Sequence, residues 1–167
     1  MIIREMNEQD IEAVSAICMA SFSSSVAGDL PGEGVSTFAK IVSRDALRDR
    51  MTRDTVILVA EYNERIEGVV ELKEGRHISM LFVEPEFQRK GIGRKLLSSA
   101  LNYARADIVT VRASLSSVPA YEKYGFESRG DISESSGLVY QPMEIELNRA
   151  RPDRAANKDI NRRYGDI

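Results

Sequence analysis

The sequence predicts a mixed α/β domain in which a central, mostly antiparallel sheet of about six to seven strands is flanked by about four helices. Three runs rich in β-branched and large apolar residues follow one another between residues 55 and 83. Only short turns separate them, as in an antiparallel meander. A strand–helix–strand pattern over residues 77–113 then favours one parallel pair with a right-handed crossover. The length of 167 residues suits a single domain.

The first third of the chain is expected to form one strand and two helices. Residues 1–6 have the pattern of a short strand, and Asn7, with an acidic residue three positions later, is typical of a helix N-terminus. Residues 11–22 carry a single apolar face at helical spacing. Small residues, glycine and proline predict a loop over residues 23–34, and helical spacing returns over residues 35–52.

The predicted meander consists of residues 55–61, 65–73 and 77–83. Its last run, HISMLFV, is almost wholly apolar, which predicts a central strand that is covered on both faces. An amphipathic helix is expected over residues 92–104, and a further strand over residues 107–113.

The C-terminal part is expected to end the sheet and then leave it. Residues 117–127 predict a short helix that stops at a glycine, and residues 137–147 a last strand. Pro142 in that strand predicts a bulge or a sheet edge, because proline cannot donate to a ladder. Residues 148–167 carry six Arg or Lys and three Asp without an apolar stripe. We therefore expect a domain at 1–147 and a charged, solvated C-terminal extension, rather than an arm that docks on another subunit.

Charge and residue counts exclude several classes of function. The formal net charge is −3, whereas a general nucleic-acid binder is normally basic. Cys18 and His77 are the only cysteine and histidine, which excludes a disulfide, a cysteine-based zinc site and any two-histidine metal motif, so no metal is expected. A Ser-His-Asp triad remains only if His77 belongs to it. No apolar stretch approaches the ~20 residues that cross a bilayer, and the start of the chain lacks a signal-peptide pattern, so we expect a cytoplasmic protein without membrane or nucleic-acid partners.

A turn with two glycines joins an apolar strand to the amphipathic helix, in the stretch QRKGIGR at residues 88–94. A helix N-terminus exposes unpaired N–H groups and a partial positive charge, and glycines let a ligand come close to the backbone. The turn therefore fits a phosphate or pyrophosphate. It is not a P-loop, because no G-x-x-x-x-G-K-[ST] is present, and a dinucleotide fingerprint would need a glycine where Leu96 stands.

Three motifs together resemble the GNAT superfamily of acyl-CoA N-acyltransferases. QRKGIG is similar to its Q/R-x-x-G-x-G/A signature, AYEKYGFE resembles its FYEKLGF segment, and YQPMEIEL resembles the PM-x-x-x-L last strand of many bacterial members. The order of elements agrees over residues 1–147. The resemblance implies a GNAT-type sheet that is splayed between the strands at 77–83 and 107–113, with acetyl-CoA as co-substrate.

The resemblance also implies how acetyl-CoA is held. Its pyrophosphate would lie on the backbone N–H groups of residues 89–94. The pantetheine arm would pair with the backbone of Leu81 and Val83, and an N–H near Leu81 or Phe82 would polarise the thioester carbonyl. Many relatives carry an asparagine after the next strand, where this chain has ASLSS, so Ser114 or Ser116 is the candidate to replace it. The cofactor-binding candidates are Leu81, Phe82, Val83, Gln88, Arg89, Lys90, Gly91, Ile92, Gly93, Arg94, Ser114, Ser116 and Tyr121.

Tyr121 matches the family tyrosine that donates a proton to the leaving sulfur. A thiolate leaves more easily when a proton donor is near, since a thiol pKa lies near ~8.5. The alternative is a tyrosine that only packs against the sheet. With the motif around it, the acid role is the better interpretation.

The proton acceptor is less clearly defined by the sequence. A lysine-like amine, with a pKa of about 10.4, arrives protonated, so a base is needed. Alternation along a strand would put His77, Ser79, Leu81 and Val83 on one face, and histidine has a suitable pKa of roughly 6.5. His77 is the catalytic candidate, and the alternative is a histidine at the start of a strand that is hydrogen-bonded to a nearby loop. Glu71 is a second candidate, against the alternative of an exposed carboxylate.

The predicted activity is N-acetyl transfer from acetyl-CoA to a primary amine, most simply of a small molecule, by direct attack in a ternary complex. In this superfamily the amine enters beside the first two helices and the last strands, here residues 22–34 and the SESSG turn at 133–137. Two alternatives remain, namely acetylation of a protein N-terminus or lysine, and a CoA-binding sensor module that has lost catalysis. Since members often dimerise, the resemblance also raises a homodimer as an expectation.

Overall fold

The structure is a computed structural model that describes residues 1–147, so the expectations about the extension at 148–167 lie outside the described residues. Within the described part the chain forms eight strands, β1 (Ile2–Glu5), β2 (Thr55–Tyr62), β3 (Arg65–Lys73), β4 (His77–Val83), β5 (Ile108–Ala113), β6 (Glu127–Ser128), β7 (Ser133–Ser135) and β8 (Leu138–Glu146). The same part holds five α-helices, α1 (Ile11–Ser25), α2 (Gly32–Ile41), α3 (Arg44–Met51), α4 (Ile92–Leu101) and α5 (Val118–Lys123). None of these described helices has the length and apolar character needed to cross a membrane.

One twisted sheet organises the molecule. Its order is β1–β2–β3–β4–β5–β8–β6, and β7 pairs with β8. β2, β3 and β4 form the predicted antiparallel meander, and β4 with β5 is the one parallel pair among the described strands. The predicted mixed, mostly antiparallel sheet is therefore confirmed.

Two apolar cores lie on opposite faces of the sheet. The face covered by α4 and α5, called the α4 face below, buries residues such as Leu96 and Leu97. The face covered by α1, α2 and α3, called the α1 face below, buries residues such as Phe22, Phe38 and Leu47. Each helix is held by the apolar stripe that it turns toward the sheet, as amphipathic helices in small domains usually are.

β4 and β5 separate after a short stretch of pairing. Their paired positions in the described structure are His77 with Thr110 and Ile78 with Val111. Beyond these positions β5 continues along β8, whereas β4 continues along β3. Residues 79–83 therefore have an open edge toward β5, and the splay implied by the family resemblance is confirmed.

A bulge in β4 changes which side chains share a face. The pairing of β3 with β4 shifts register between Glu71↔Met80 and Leu72↔Ile78, which leaves Ser79 as the extra residue. Ile78 and Leu81 consequently both pack on the α4 face, while Met80 is buried on the α1 face.

The bulge corrects one prediction about this strand. Since His77 precedes Ile78, its side chain points to the α1 face, away from Leu81 and Val83. The expectation that His77 shares a face with Leu81 and Val83 is wrong, because strict alternation does not hold across the extra residue. The prediction that this strand is covered on both faces is confirmed, with Ile78 and Met80 1% and 4% exposed on opposite sides.

The helices on the α1 face differ in number from the prediction. The pattern over residues 35–52 is not one helix, because the chain breaks after α2 and Ser43 starts α3 by accepting a hydrogen bond from the Ala46 N–H at 3.2 Å. The predicted loop over 23–34 is also shorter, since α1 extends to Ser25 and α2 begins at Gly32. The described part therefore holds five α-helices instead of about four.

The last part of the sheet holds two short strands that the sequence did not predict, β6 and β7, which have two and three residues. β8 pairs with β5 without a register shift, but on its other side the ladder is interrupted and changes register at Pro142, between β6 and β7, so the irregularity expected at this proline lies on that side only. The Pro142 carbonyl accepts from the Arg129 N–H at 2.8 Å, in the gap between β6 and β7. The ladder on this side stops at Pro142, where a proline has no N–H with which to continue it.

Candidate active site

The turn before α4 presents backbone N–H groups at the open end of the splay. Gly91 is the N-cap residue, with φ 85° and ψ 3°, and no side chain caps the helix. The first intrahelical bond that closes this end runs from the Lys95 N–H to the Gly91 carbonyl at 3.1 Å. The N–H groups just after Gly91 therefore have no partner within the helix. A Cβ on Gly91 would meet no atom within 4 Å, so the space in front of the turn is open to a ligand.

The basic side chains of this turn contact other parts of the protein. The Lys90 Nζ lies 5.3 Å from the centre of the Phe87 ring. The Arg94 guanidinium donates to the Lys123 carbonyl at 3.2 Å and lies 5.4 Å from the centre of the Tyr124 ring. Because these side chains contact other parts of the protein, the backbone N–H groups of the turn are the principal candidates for binding an anion, and the cations add a surrounding positive field.

Gln88 links the turn to β4 and to α1 through hydrogen bonds of its side-chain amide. Its Nε2 donates to the Val83 carbonyl at 3.0 Å and to the Ser21 hydroxyl at 3.4 Å. The signature glutamine therefore joins the end of β4 and helix α1 to the turn, and its amide N–H groups are already used within the protein.

The open edge of β4 offers alternate backbone groups to the splay. The Glu84 N–H donates to the Glu67 carbonyl at 2.8 Å, so the backbone of Glu84 faces β3. Because the direction alternates along a strand, Phe82 also faces β3, whereas Leu81 and Val83 face the splay. Of the two residues left open by the sequence, only Leu81 has an N–H that is free to polarise a carbonyl in the splay.

Tyr121 lies on the α4 face, in the same apolar cluster as the residues of β4 that face α4. It is 6% exposed, and its ring meets the rings of Tyr124 and Phe126 edge-on at 6.0 and 5.3 Å. Burial raises the pKa of its hydroxyl well above the usual value near 10, so the group stays protonated at neutral pH. Such a protonated hydroxyl is a hydrogen-bond donor for a group that develops negative charge beside it.

His77 lies at the narrow end of the splay, on the α1 face. Its Nδ1 is 2.8 Å from the Thr110 hydroxyl of β5, so its partner is the neighbouring strand rather than a loop. Burial is the main cause that lowers its pKa, and the positive charges of Arg112, Lys73 and Arg76 lower it further. The imidazole is therefore neutral at pH 7 and able to accept a proton.

A cleft of about 700 Å³ lies on the α1 face beside the bulge of β4. It runs between α3 and strands β2, β3 and β4, and Ser79 and Met80 lie at its β4 side. Its other lining residues are Ile41, Ala46, Asp49, Arg50, Arg53, Asp54, Thr55, Glu71, Lys73 and Glu74. Ser79 lines this cleft and is also the first β4 residue beyond the stretch that pairs with β5, where the splay begins.

Glu71 is not the exposed carboxylate that the sequence left as an alternative. It is 2% exposed, and both carboxylate oxygens are bonded, one to the Arg50 Nε at 2.8 Å and the other to the Ser79 hydroxyl at 2.7 Å. Sequence reasoning missed Arg50 and Ser79, because neither belongs to a motif and the three residues come from α3, β3 and β4. Since its oxygens are occupied, Glu71 is a weak candidate for the base.

A contact between α2 and the β7–β8 turn, called the bridge below, spans the splay on the α1 face. The Thr37 hydroxyl of α2 donates to the Ser136 carbonyl in the β7–β8 turn at 2.7 Å. The backbones of Gly34 and Gly137 come so close that a Cβ on either residue would clash with the other. The two segments expected to flank the acceptor are thus in contact with each other.

The serines after β5 bond to one another. The Ser114 hydroxyl donates to the Ser117 hydroxyl at 2.9 Å and lies 3.4 Å from the Ser116 hydroxyl. The Ser117 hydroxyl donates back to the Ser114 carbonyl at 2.9 Å. A role of Ser114 or Ser116 in holding a cofactor arm stays a prediction.

Comparisons with known proteins agree with this geometry. The family model for the acetyltransferase (GNAT) domain matches residues 26–147. The uncharacterized N-acetyltransferase YafP of Escherichia coli is 27% identical over 126 residues, which cover 75% of this chain and 81% of YafP.

Solved structures support the same fold. A GCN5-related N-acetyltransferase from Rhodopseudomonas palustris superposes with a TM-score of 0.76 at 24% identity, covering 87% of this chain and 95% of that chain. The PaiA N-acetyltransferase from Thermoplasma acidophilum, solved in complex with coenzyme A, gives a TM-score of 0.70 at 20% identity, with coverage of 87% and 98%.

Proposed function

The chain belongs to the GNAT acetyltransferase family, and we propose that it transfers an acetyl group from acetyl-CoA to the primary amine of a small molecule. The observation that carries the proposal is the open edge of β4 leading to an uncapped helix N-terminus at Gly91. An extended arm can pair with the strand edge while a pyrophosphate meets the N–H groups of the turn. The coenzyme A bound to the structurally similar PaiA protein supports this assignment.

The proposed chemistry is direct attack of the amine nitrogen on the thioester carbonyl carbon. A C–N bond forms, the C–S bond breaks, and the Leu81 N–H stabilises the negative charge that develops on the carbonyl oxygen. His77 accepts the proton that the amine loses, and the Tyr121 hydroxyl donates a proton to the departing thiolate. His77 points to the α1 face and Tyr121 lies on the α4 face. The amine can therefore approach from one face while the sulfur leaves toward the other.

The choice of a small acceptor is supported by the bridge between α2 and the β7–β8 turn. Thr37 and Ser136 are hydrogen-bonded there, and Leu138 packs against the core of the α1 face. An extended peptide would need an open groove across this side, and the bridge obstructs one. A molecule that fits a cleft of about 700 Å³ needs no such groove.

The proposal is tested first by calorimetric titration with acetyl-CoA, using the wild-type protein and Gly91→Asp. The aspartate projects into the open space in front of the turn and repels the pyrophosphate, so affinity should fall by about 100-fold or more. Gly130→Asp is a matched control, because Gly130 also has a positive φ, 75° against 85°, and equally open surroundings. The control adds the same charge and a similar backbone strain away from the turn.

The outcomes separate clearly. Loss of binding in Gly91→Asp alone supports the cofactor site, whereas equal binding in all three proteins removes it and the proposed function with it.

A panel of putrescine, spermidine, glucosamine, lysine methyl ester and a hexapeptide then tests the acceptor by thiol release. Cys18 adds no background, because it is the only cysteine and is fully buried, and burial raises its pKa to about 12. Turnover of the peptide alone, or binding without any turnover, would contradict a small-amine acetyltransferase.

A further inference from the structure

The extra residue of the β4 bulge carries a hydroxyl that the reaction described above does not use. Ser79 is exposed to the cleft on the α1 face, two residues before Leu81, whose N–H faces the splay. An acceptor that approaches the thioester through this cleft passes Ser79. The position therefore suits a group that binds the incoming amine.

Hydrogen-bond chemistry fixes the direction of this hydroxyl. The Ser79 oxygen lies 2.7 Å from a carboxylate oxygen of Glu71, and an ionised carboxylate can only accept. Ser79 must therefore donate its single proton to Glu71, and only the lone pairs of its oxygen are left for a ligand. A group that offers lone pairs alone suits an amine or ammonium N–H and cannot donate to a carbonyl or a carboxylate.

Arg50 holds the carboxylate in the required position. Its Nε donates to Glu71 at 2.8 Å, a second nitrogen donates to the Ile41 carbonyl at 2.8 Å, and the third lies 3.7 Å from the Met80 sulfur. All three nitrogens of the guanidinium are thus in use, and the Glu71 side chain is 3% exposed. An ion pair that is buried and fully bonded gives the Ser79 hydroxyl little freedom to turn.

We propose that Ser79 binds the acceptor amine through its lone pairs, and that Glu71 and Arg50 are positioning residues that aim this hydroxyl at the cleft. The inference rests on the proposed function and specifies the amine-binding group of that site. Acetyl-CoA binding does not depend on it, because the turn before α4 and the edge of β4 are built without these side chains.

The first test is steady-state kinetics of Ser79→Ala with the panel amine that has the highest wild-type kcat/KM. The KM for the amine should rise about tenfold while the KM for acetyl-CoA stays unchanged, because only the hydrogen bond to the amine is lost. Ser79→Thr keeps a hydroxyl and should recover most of the loss. Ser128→Ala, in the exposed strand β6, is the matched control and should behave as wild type.

A double-mutant cycle tests the positioning role. Glu71→Gln should raise the KM for the amine as Ser79→Ala does, and the combined variant should show no further rise, because Glu71 acts through Ser79. Additive losses would contradict a shared action, and so would a Glu71→Gln effect on the KM for acetyl-CoA. If Glu71→Gln fails to fold in a thermal melt, the Ser79→Ala and Ser79→Thr pair still decides the proposal.

Failure of this inference is distinguishable from failure of the proposed function. If the wild-type protein acetylates an amine and Ser79→Ala has an unchanged KM for it, the amine-binding role of Ser79 is wrong and the acetyltransferase assignment stands. If the wild-type protein binds no acetyl-CoA and acetylates no amine, both proposals are overturned. A rise in the amine KM that the threonine variant reverses supports Ser79.

Discussion

The two sides of the splay carry different kinds of candidate binding group, backbone on one side and side chains on the other. On the side of α4, one continuous stretch at residues 88–94 supplies the candidate cofactor site, which consists chiefly of backbone N–H groups. On the α1 face, the candidate groups are side chains from separate elements, Arg50 of α3, Glu71 of β3, and Ser79 and His77 of β4. The first site depends on chain geometry and the second on the packing of distant segments.

This difference indicates which substitutions each side tolerates. A backbone site is damaged when a side chain fills the space in front of it, and it is affected little when a nearby side chain is shortened. A side-chain site behaves in the opposite way, since each group is supplied by one residue and aimed by its neighbours. The variants below test that contrast on both faces, in order of decreasing effect.

Tyr121→Phe separates catalysis from binding on the α4 side. We expect kcat to fall about 100-fold, because the departing thiolate loses its proton donor, while the Kd for acetyl-CoA remains unchanged. The measurements are thiol release and calorimetric titration. Tyr103→Phe makes the same change at a tyrosine that is 45% exposed, and it should have no effect. A parallel loss of affinity in Tyr121→Phe would show that this side chain also holds the cofactor, against the backbone description.

His77→Gln tests the side-chain site through pH. The glutamine amide can keep a hydrogen bond to Thr110 but cannot accept a proton. We expect kcat to fall about tenfold, a modest loss because some amine can give its proton to water.

The pH dependence of kcat tests whether His77 is the base that accepts the amine proton. A neutral base loses activity as pH falls through its pKa, and the pKa of His77 is lowered, so the wild-type acid limb of kcat should lie below pH ~6.5. The variant should lack that limb. An unmoved limb in His77→Gln would remove His77 as the base.

Arg94→Ala should have the smallest effect of the three. The guanidinium is bonded to the Lys123 carbonyl and stacked near Tyr124, so it contributes mainly long-range attraction to the phosphates. The Kd for acetyl-CoA should rise about threefold at low ionic strength, with a smaller change at high salt. A loss as large as that expected for Gly91→Asp would mean that side chains, rather than backbone, hold the pyrophosphate.

The same contrast explains which predictions from sequence succeeded. The meander, the parallel unit and the turn before α4 are local patterns, and the structure confirms each of them. The shared face assigned to His77 and Leu81 failed, because one extra residue at Ser79 reverses the alternation. No local pattern marks that bulge, since HISMLFV contains neither glycine nor proline. The break at Ser43 was missed in a similar way, within a stretch whose apolar spacing continues through it.

The sequence by itself determined the family, the order of the elements and the glycine turn that starts α4 at Gly91. These depend on short-range features, namely periodicity, turn residues and a helix start, which consecutive residues specify completely. Only the tertiary structure decided that Glu71 is buried between Arg50 and Ser79, and that α2 meets the β7–β8 turn across the splay. The physical reason is that these contacts join residues far apart in the chain, and their geometry is fixed by how the helices pack on the twisted sheet.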